Sequence, residues 1–264
     1  MLINKVSAGR GAAWINESIG LLKTGGKGIW VPALIVGILG SLPYLGALLG
    51  VLIIFFYASL VLCFSQSDGR YNAFSGFKDG RLARLMPILL LNIALAALAI
   101  AAMWPSLQLI IDAGMQGTKL SEEQAIEFMM NFGKQLLWLI PVSIFINWIT
   151  QFAVPLAVFN DISGSKAMTQ SLGAIKTNWP ALIVNFVCFF IVVIVCSIAI
   201  MLPMMLISTM LASNPLLMNI AIMPFTTLLT AVMVALMSGN MLFSYRDVFG
   251  GAESKPTDNS ELLI

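Results

Sequence analysis

The sequence predicts an all-α, polytopic membrane helical bundle, with six transmembrane helices arranged as three units, each an interfacial helix followed by a hairpin. Three observations carry that expectation. Of 264 residues, 59% are hydrophobic and only 10% charged, whereas an ordinary soluble domain is about a quarter charged. Every charged residue falls outside six apolar runs at 29–42, 44–64, 85–103, 136–158, 180–206 and 217–243. A bilayer demands that segregation, because a charge at the centre of a spanning helix costs about 2.5 to 3.5 kcal/mol. Finally, SIGLLKTGGKGIWVPALIV at 18–36 returns as SLGAIKTNWPALIV at 171–184.

Residues 1–28 carry Lys5, Arg10, Glu17, Lys23 and Lys27 without a long apolar core, so they read as part of the mature chain and not as a cleavable signal. In the repeated stretch, Ile15, Ile19 and Leu22 align with Met168, Leu172 and Ile175, both sets at i, i+4, i+7 spacing. Each copy therefore predicts an amphipathic helix at the membrane surface, leading into a spanning helix with a proline near its start. A weaker third copy begins near Tyr71, where AFSGFKDGRLARLMPILLLN approaches Pro87. Five residues beyond the three prolines stand Gly37, Asn92 and Asn185. The units run from about 12–64, 72–158 and 163–243.

The first two spans share one long apolar run, and Gly40-Ser41-Leu42-Pro43 supplies turn residues for a reversal there. Span one is then about 21 Å long at 1.5 Å per residue, short for a bilayer, so a single long helix with a re-entrant stretch is the competing reading. Residues 104–135 read as a periplasmic loop with a short surface helix, capped by Ser121 ahead of Glu122 and Glu123. The single membrane domain covers 1–249, and the polar tail at 250–264, GGAESKPTDNSELLI, reads as disordered and cytoplasmic.

Charge placement sets the orientation. Only Lys119 and Lys134 lie on one side of the six-span arrangement, and the other twelve Lys and Arg lie on the opposite side, which puts both termini in the cytoplasm.

Candidate chemistry is sparse. The sequence has no histidine, and no Asp or Glu falls within an apolar run, so neither an acid–base site nor a metal cluster is predicted and the chain reads as no enzyme, without cofactor. Cys63, Cys188 and Cys196 lie in apolar runs and read as small buried hydrophobes. Gly-x-x-Lys-Thr at 20–24 lacks the first glycine and the preceding strand of a phosphate loop. Met233, Met237 and Met241 form a helical stripe, and Met201, Met204 and Met205 cluster in span five. Packing is the default role for both groups, with Cu(I) as the sharper reading. Gly46 and Gly50 make a G-x-x-x-G match that permits close helix approach.

The candidate site residues are the polar groups inside spans: Asn92, Asn147, Gln151, Asn185 and Asn240. They would bond across helices or line a polar cavity for a neutral ligand near the midplane. Tyr245, Arg246 and Asp247 form a candidate cytoplasmic-edge anchor, with Arg246 or Asp247 able to pair with an interfacial helix.

VSAGRGAAWI at 6–15 and SYRDVFG at 244–250 resemble the two ends of an uncharacterised proteobacterial multi-pass inner-membrane protein family. FAVPLAVFNDISGSKAMTQSLGAIKTNWPAL at 152–182 is similar to a motif of broader multi-pass bacterial families. The resemblance implies a bacterial inner-membrane location and a role in envelope maintenance, with no site residues to carry over. Expected partners are membrane lipids and either a membrane-protein partner or a second copy in a homo-oligomer; nucleic acid is not expected. A channel or transporter for a neutral or lipophilic small solute is the alternative function.

Overall fold

A computed structural model describes residues 2–42, 45–65, 71–116 and 121–250. It is helical throughout, with no strand among the described residues. The helices are α1 (Arg10–Thr24), α2 (Gly26–Ser41), α3 (Leu45–Ser65), α4 (Arg81–Gln116), α5 (Glu122–Phe159), α6 (Gly164–Met210) and α7 (Pro215–Phe249), with one 3-10 turn at Ser75–Phe77. Four of them, α4 to α7, are long and apolar enough to cross a membrane, and the bent pair α1–α2 makes a fifth if it counts as one span.

The chain turns by 104° between α1 and α2. Gly26 takes φ +53° there, a conformation that costs a residue with a Cβ about 1 to 2 kcal/mol. Across the bend, the Trp30 indole donates to the Leu22 carbonyl at 3.0 Å. The second copy of the repeated stretch breaks at the corresponding point. Asn178, directly after Lys176-Thr177, leaves helical geometry at φ −121°, ψ 19° inside α6.

Some expectations need correction. Residues 104–135 are not a loop holding a short helix: α4 continues to Gln116, and α5 already begins at Glu122. Ser121 does cap that helix, its hydroxyl accepting from the Gln124 amide while the Gln124 side chain accepts from the Ser121 amide. No break separates this turn from the span, so the two helices extend as a hairpin, tied where the Ser106 hydroxyl donates to Gln135 at 3.2 Å. Among the described residues, the approach to α4 holds one 3-10 turn, and Asp79 (φ 56°) and Gly80 (φ 71°) turn the chain left-handed directly before α4. Leu172 also departs from its predicted face, being 44% exposed. Ile175 is buried as predicted, and the rest of the buried stripe of α6 before the kink is Gly164, Ala167, Ser171 and Ala174, small residues that admit close packing. The predicted turn at Pro43, the tail from 251 onward, and Arg70, Lys119 and Lys255 lie outside the described residues, as do the side chains of the G-x-x-x-G match.

Burial is concentrated at one end of the bundle. Trp14 of α1, Ile54 to Phe64 of α3, Leu85 and Ile88 of α4, Phe152 to Val158 of α5, and Leu236 to Leu242 of α7 form one core. The opposite halves of the long helices present apolar side chains outward, among them Leu137, Val195, Met201 and Met210. The most apolar 18-residue window of α6 is only 6% buried, which in water would be a large exposed patch and in a bilayer is a lipid-facing surface.

Candidate functional site

Two polar groupings sit within this apolar frame. The first lies at the packed end, where residues 4–6 meet the end of α7 and the kink of α6. The Asn4 backbone amide donates to the Val248 carbonyl at 2.9 Å, and Asn178 clamps the same strap, donating to the Asn4 carbonyl at 3.0 Å and accepting from the Val6 amide at 2.8 Å. One carboxylate oxygen of Asp247 receives both the Arg10 guanidinium at 2.5 Å and the Trp14 indole N–H at 2.7 Å. Arg10 also reaches Glu17 at 2.9 Å. Burial opposes the Arg10 charge, but the hydrogen bond and negative charge of Asp247, aided by Glu17, outweigh it and raise the Arg10 pKa. This is a fixed ion pair.

Of the three predicted edge residues, Asp247 pairs with Arg10 and Trp14 of α1, and Arg246 also feels the negative charge of Glu17 on α1. Tyr245 donates to Asn160 at 2.9 Å and packs against Phe159 and Phe249, while Arg246 lies over the Phe243 ring. The AGRGAAW and SYRDVFG stretches, singled out separately in the sequence, thus meet through Arg10, Trp14 and Asp247. A pairing of Asp247 with such a helix was expected, but contacts between positions so far apart leave no periodic trace in one sequence, so Arg10 and Trp14 were not singled out as its partners. Asn178 was hidden for the same reason.

The second grouping is a cavity of about 240 Å³ bounded by α5, α6 and α7. Its polar lining is Ser143, Asn147, Gln151, Asn185 and Asn240. The apolar lining is Ile144, Trp148, Phe186, Phe189 and Met237. Four of the five predicted intramembrane polar residues therefore converge here. Asn92 does not; its amide donates to the Ile88 carbonyl at 2.9 Å and to Thr150 at 3.2 Å, linking α4 to α5.

Asn185 and Asn240 exchange reciprocal bonds of 2.8 and 3.0 Å, and Asn185 also donates to the Gly11 carbonyl at 3.0 Å. That last bond needs α1 very close to α6. A Cβ on Gly11 would lie 2.0 Å from the Ala181 carbonyl oxygen, so only glycine permits the approach.

Gln151 is 1% exposed, and its amide N–H donates to Ser244 at 3.1 Å. Ser244 itself donates to the Met241 carbonyl at 3.2 Å, so toward Gln151 it can only accept. The Gln151 carbonyl oxygen is left facing the cavity with no partner among the described residues. Asn147 and Ser143 also have no side-chain partner there. Ser244 was missed as a contributor, since serine at a helix end carries no distinctive signal.

No family model, no curated protein and no solved structure matches the chain. Among the described residues no group of three or more His, Cys, Asp or Glu gathers to hold a metal. The lining residues are amides, a hydroxyl, aromatic rings and aliphatic groups, all uncharged. Such a surface binds by shape and neutral hydrogen bonds and offers no general acid or base.

Proposed function

We propose that the chain is a non-catalytic integral membrane protein that acts by associating with lipid through the α5–α6–α7 cavity. The observation that carries this reading is the uncharged amide lining set inside a bundle whose outer helix halves are apolar. An amphiphile from the bilayer matches that combination better than a solute arriving from water. Six spans are the proposed count, with α2 and α3 as the first hairpin and α1 lying at the interface. Asn4 and Val248 meet at the packed end, which supports an even number of crossings between them, and the Lys and Arg distribution supports a cytoplasmic placement of that end. A bacterial inner membrane and a role in envelope maintenance complete the proposal.

The internal repeat is part of the same reading. Gly11 and Gly164 occupy equivalent positions in the two copies, and each abuts a neighbouring backbone carbonyl, that of Ala181 and that of Arg84 respectively. Ser18 and Ser171 are likewise both buried. Gly37, Asn92 and Asn185, five residues beyond their prolines, each face another helix: Gly37 lies against Thr227, Asn92 against Thr150 and Asn185 against Asn240. These correspondences support three units built on one plan.

A channel or transporter for a neutral or lipophilic small solute is the second reading, favoured by the same lining. The fully buried Trp14, Phe152 and Met241 fill the packed end, which argues against a continuous pore in this conformation. Reconstitution into liposomes separates the two. Lipid association predicts lipid co-purifying with the protein and no solute flux, whereas flux abolished by Asn185→Leu or Asn240→Leu would establish transport instead.

A further inference from the structure

The unpartnered carbonyl of Gln151 narrows the ligand. The oxygen borders the cavity, so its hydrogen-bond donor must come from whatever occupies that space, because an acceptor left without a donor in apolar surroundings is costly. Ser244 fixes its direction, because a hydroxyl already donating to Met241 leaves the Gln151 amide nitrogen on Ser244 and the oxygen turned to the cavity. Asn147 and Ser143, also unpartnered, line the same space and can accept or donate as needed. A charged headgroup has no counter-charge here and would be desolvated without compensation.

The cavity is small for a whole lipid, about 240 Å³ against roughly 300 to 1,000 Å³ for typical ligand pockets. A second hollow of about 460 Å³ lies further along the same two helices, between Ile200, Met201, Met204 and Met205 of α6 and Ile222 and Leu229 of α7, with Ser197 and Ser208 as its polar lining. On α7, Ile222, Leu229, Met237 and Asn240 recur at spacings of seven, eight and three, so one helix face serves both hollows. From Phe189 to Ile200 along α6 is about 17 Å at 1.5 Å per residue, close to one leaflet of a hydrocarbon core roughly 30 Å thick. Methionine suits such a trough because it adapts to a flexible chain.

Resting on the lipid-association reading, we infer that the site takes an uncharged long-chain alcohol, its hydroxyl donating to Gln151 and its hydrocarbon chain lying along the α6–α7 trough. The hydroxyl hydrogen is the distinguishing element, since an ether or ester of equal length can only accept.

The test uses full-length protein in phospholipid nanodiscs and a photoactivatable hexadecanol carrying a diazirine in mid-chain. Adducts are expected on α6 and α7 between the two hollows, displaced by unlabelled hexadecanol. Hexadecyl methyl ether and palmitate should compete at least roughly tenfold less well. Asn147→Leu, which removes no protein hydrogen bond, and Ile200→Trp, which fills the trough, should each reduce labelling by a similar factor. Equal competition by the methyl ether or by palmitate overturns the alcohol assignment while leaving lipid association standing. Labelling unchanged in both variants also overturns the assignment, and no adduct anywhere on α5 to α7 overturns both it and the lipid-association reading.

Discussion

Asn185 uses both amide hydrogens, one on Asn240 and one on the Gly11 carbonyl, and its oxygen accepts from Asn240 in return. Removing one member of the pair leaves a buried amide unsatisfied, at a cost of about 1 to 3 kcal/mol. Asn240→Leu should therefore lower the protein's unfolding stability in detergent by that amount. The double variant Asn185→Leu/Asn240→Leu should lose less than the two single losses together, a coupling that a double-mutant cycle reads directly. Additive losses would show that the pair does not act as a unit. The sequence exposed these asparagines because a polar side chain in an apolar run stands out. It could not show that Asn92 leaves the group for Thr150, or that Ser244 joins it, because partners 58 and 93 positions apart are chosen by tertiary packing.

At the scale of elements, α1 is held by two kinds of contact: a charged one through Arg10 and Asp247, and a steric one through Gly11 on Ala181. Gly11→Val should force α1 away from α6, because the added carbon meets backbone and not a movable side chain. Overpacking of this kind costs about 1 to 3 kcal/mol or more, and the displacement also breaks the Asn185 bond to Gly11. The expected result is a lower melting temperature with helix content retained; a variant as stable as the parent would contradict the close approach. The succession of an amphipathic helix and an apolar helix with a proline near its start was legible from the repeated stretch for α1 and α2, whereas the break in helical geometry at Asn178 inside α6 was not anticipated. The helical extensions through 104–116 and 122–135 were not, since Pro105 and the charges around Glu122 and Lys134 resemble loop signals. A proline within a helix removes one hydrogen bond, and here the paired helices of the hairpin tolerate it.

For the whole molecule, the apolar composition made the membrane class readable at once, because it reflects the solvent and not any particular contact. Topology is a consequence of the same charge pattern and can be measured. With Cys63, Cys188 and Cys196 replaced, Lys5→Cys and Ser121→Cys should label from opposite faces of the membrane, with Lys5 on the cytoplasmic side. Labelling of both from one side would remove the six-span arrangement. The cavity was less legible, since convergence of α5, α6 and α7 is a property of the assembled bundle. Its occupancy is the centre of the account. The most direct measurement is native mass spectrometry of the protein released from nanodiscs, comparing the parent with Ile144→Trp, which fills the cavity from its apolar wall. A neutral lipid is expected bound to the parent and lost from the variant. An identical lipid complement on both proteins would contradict that expectation.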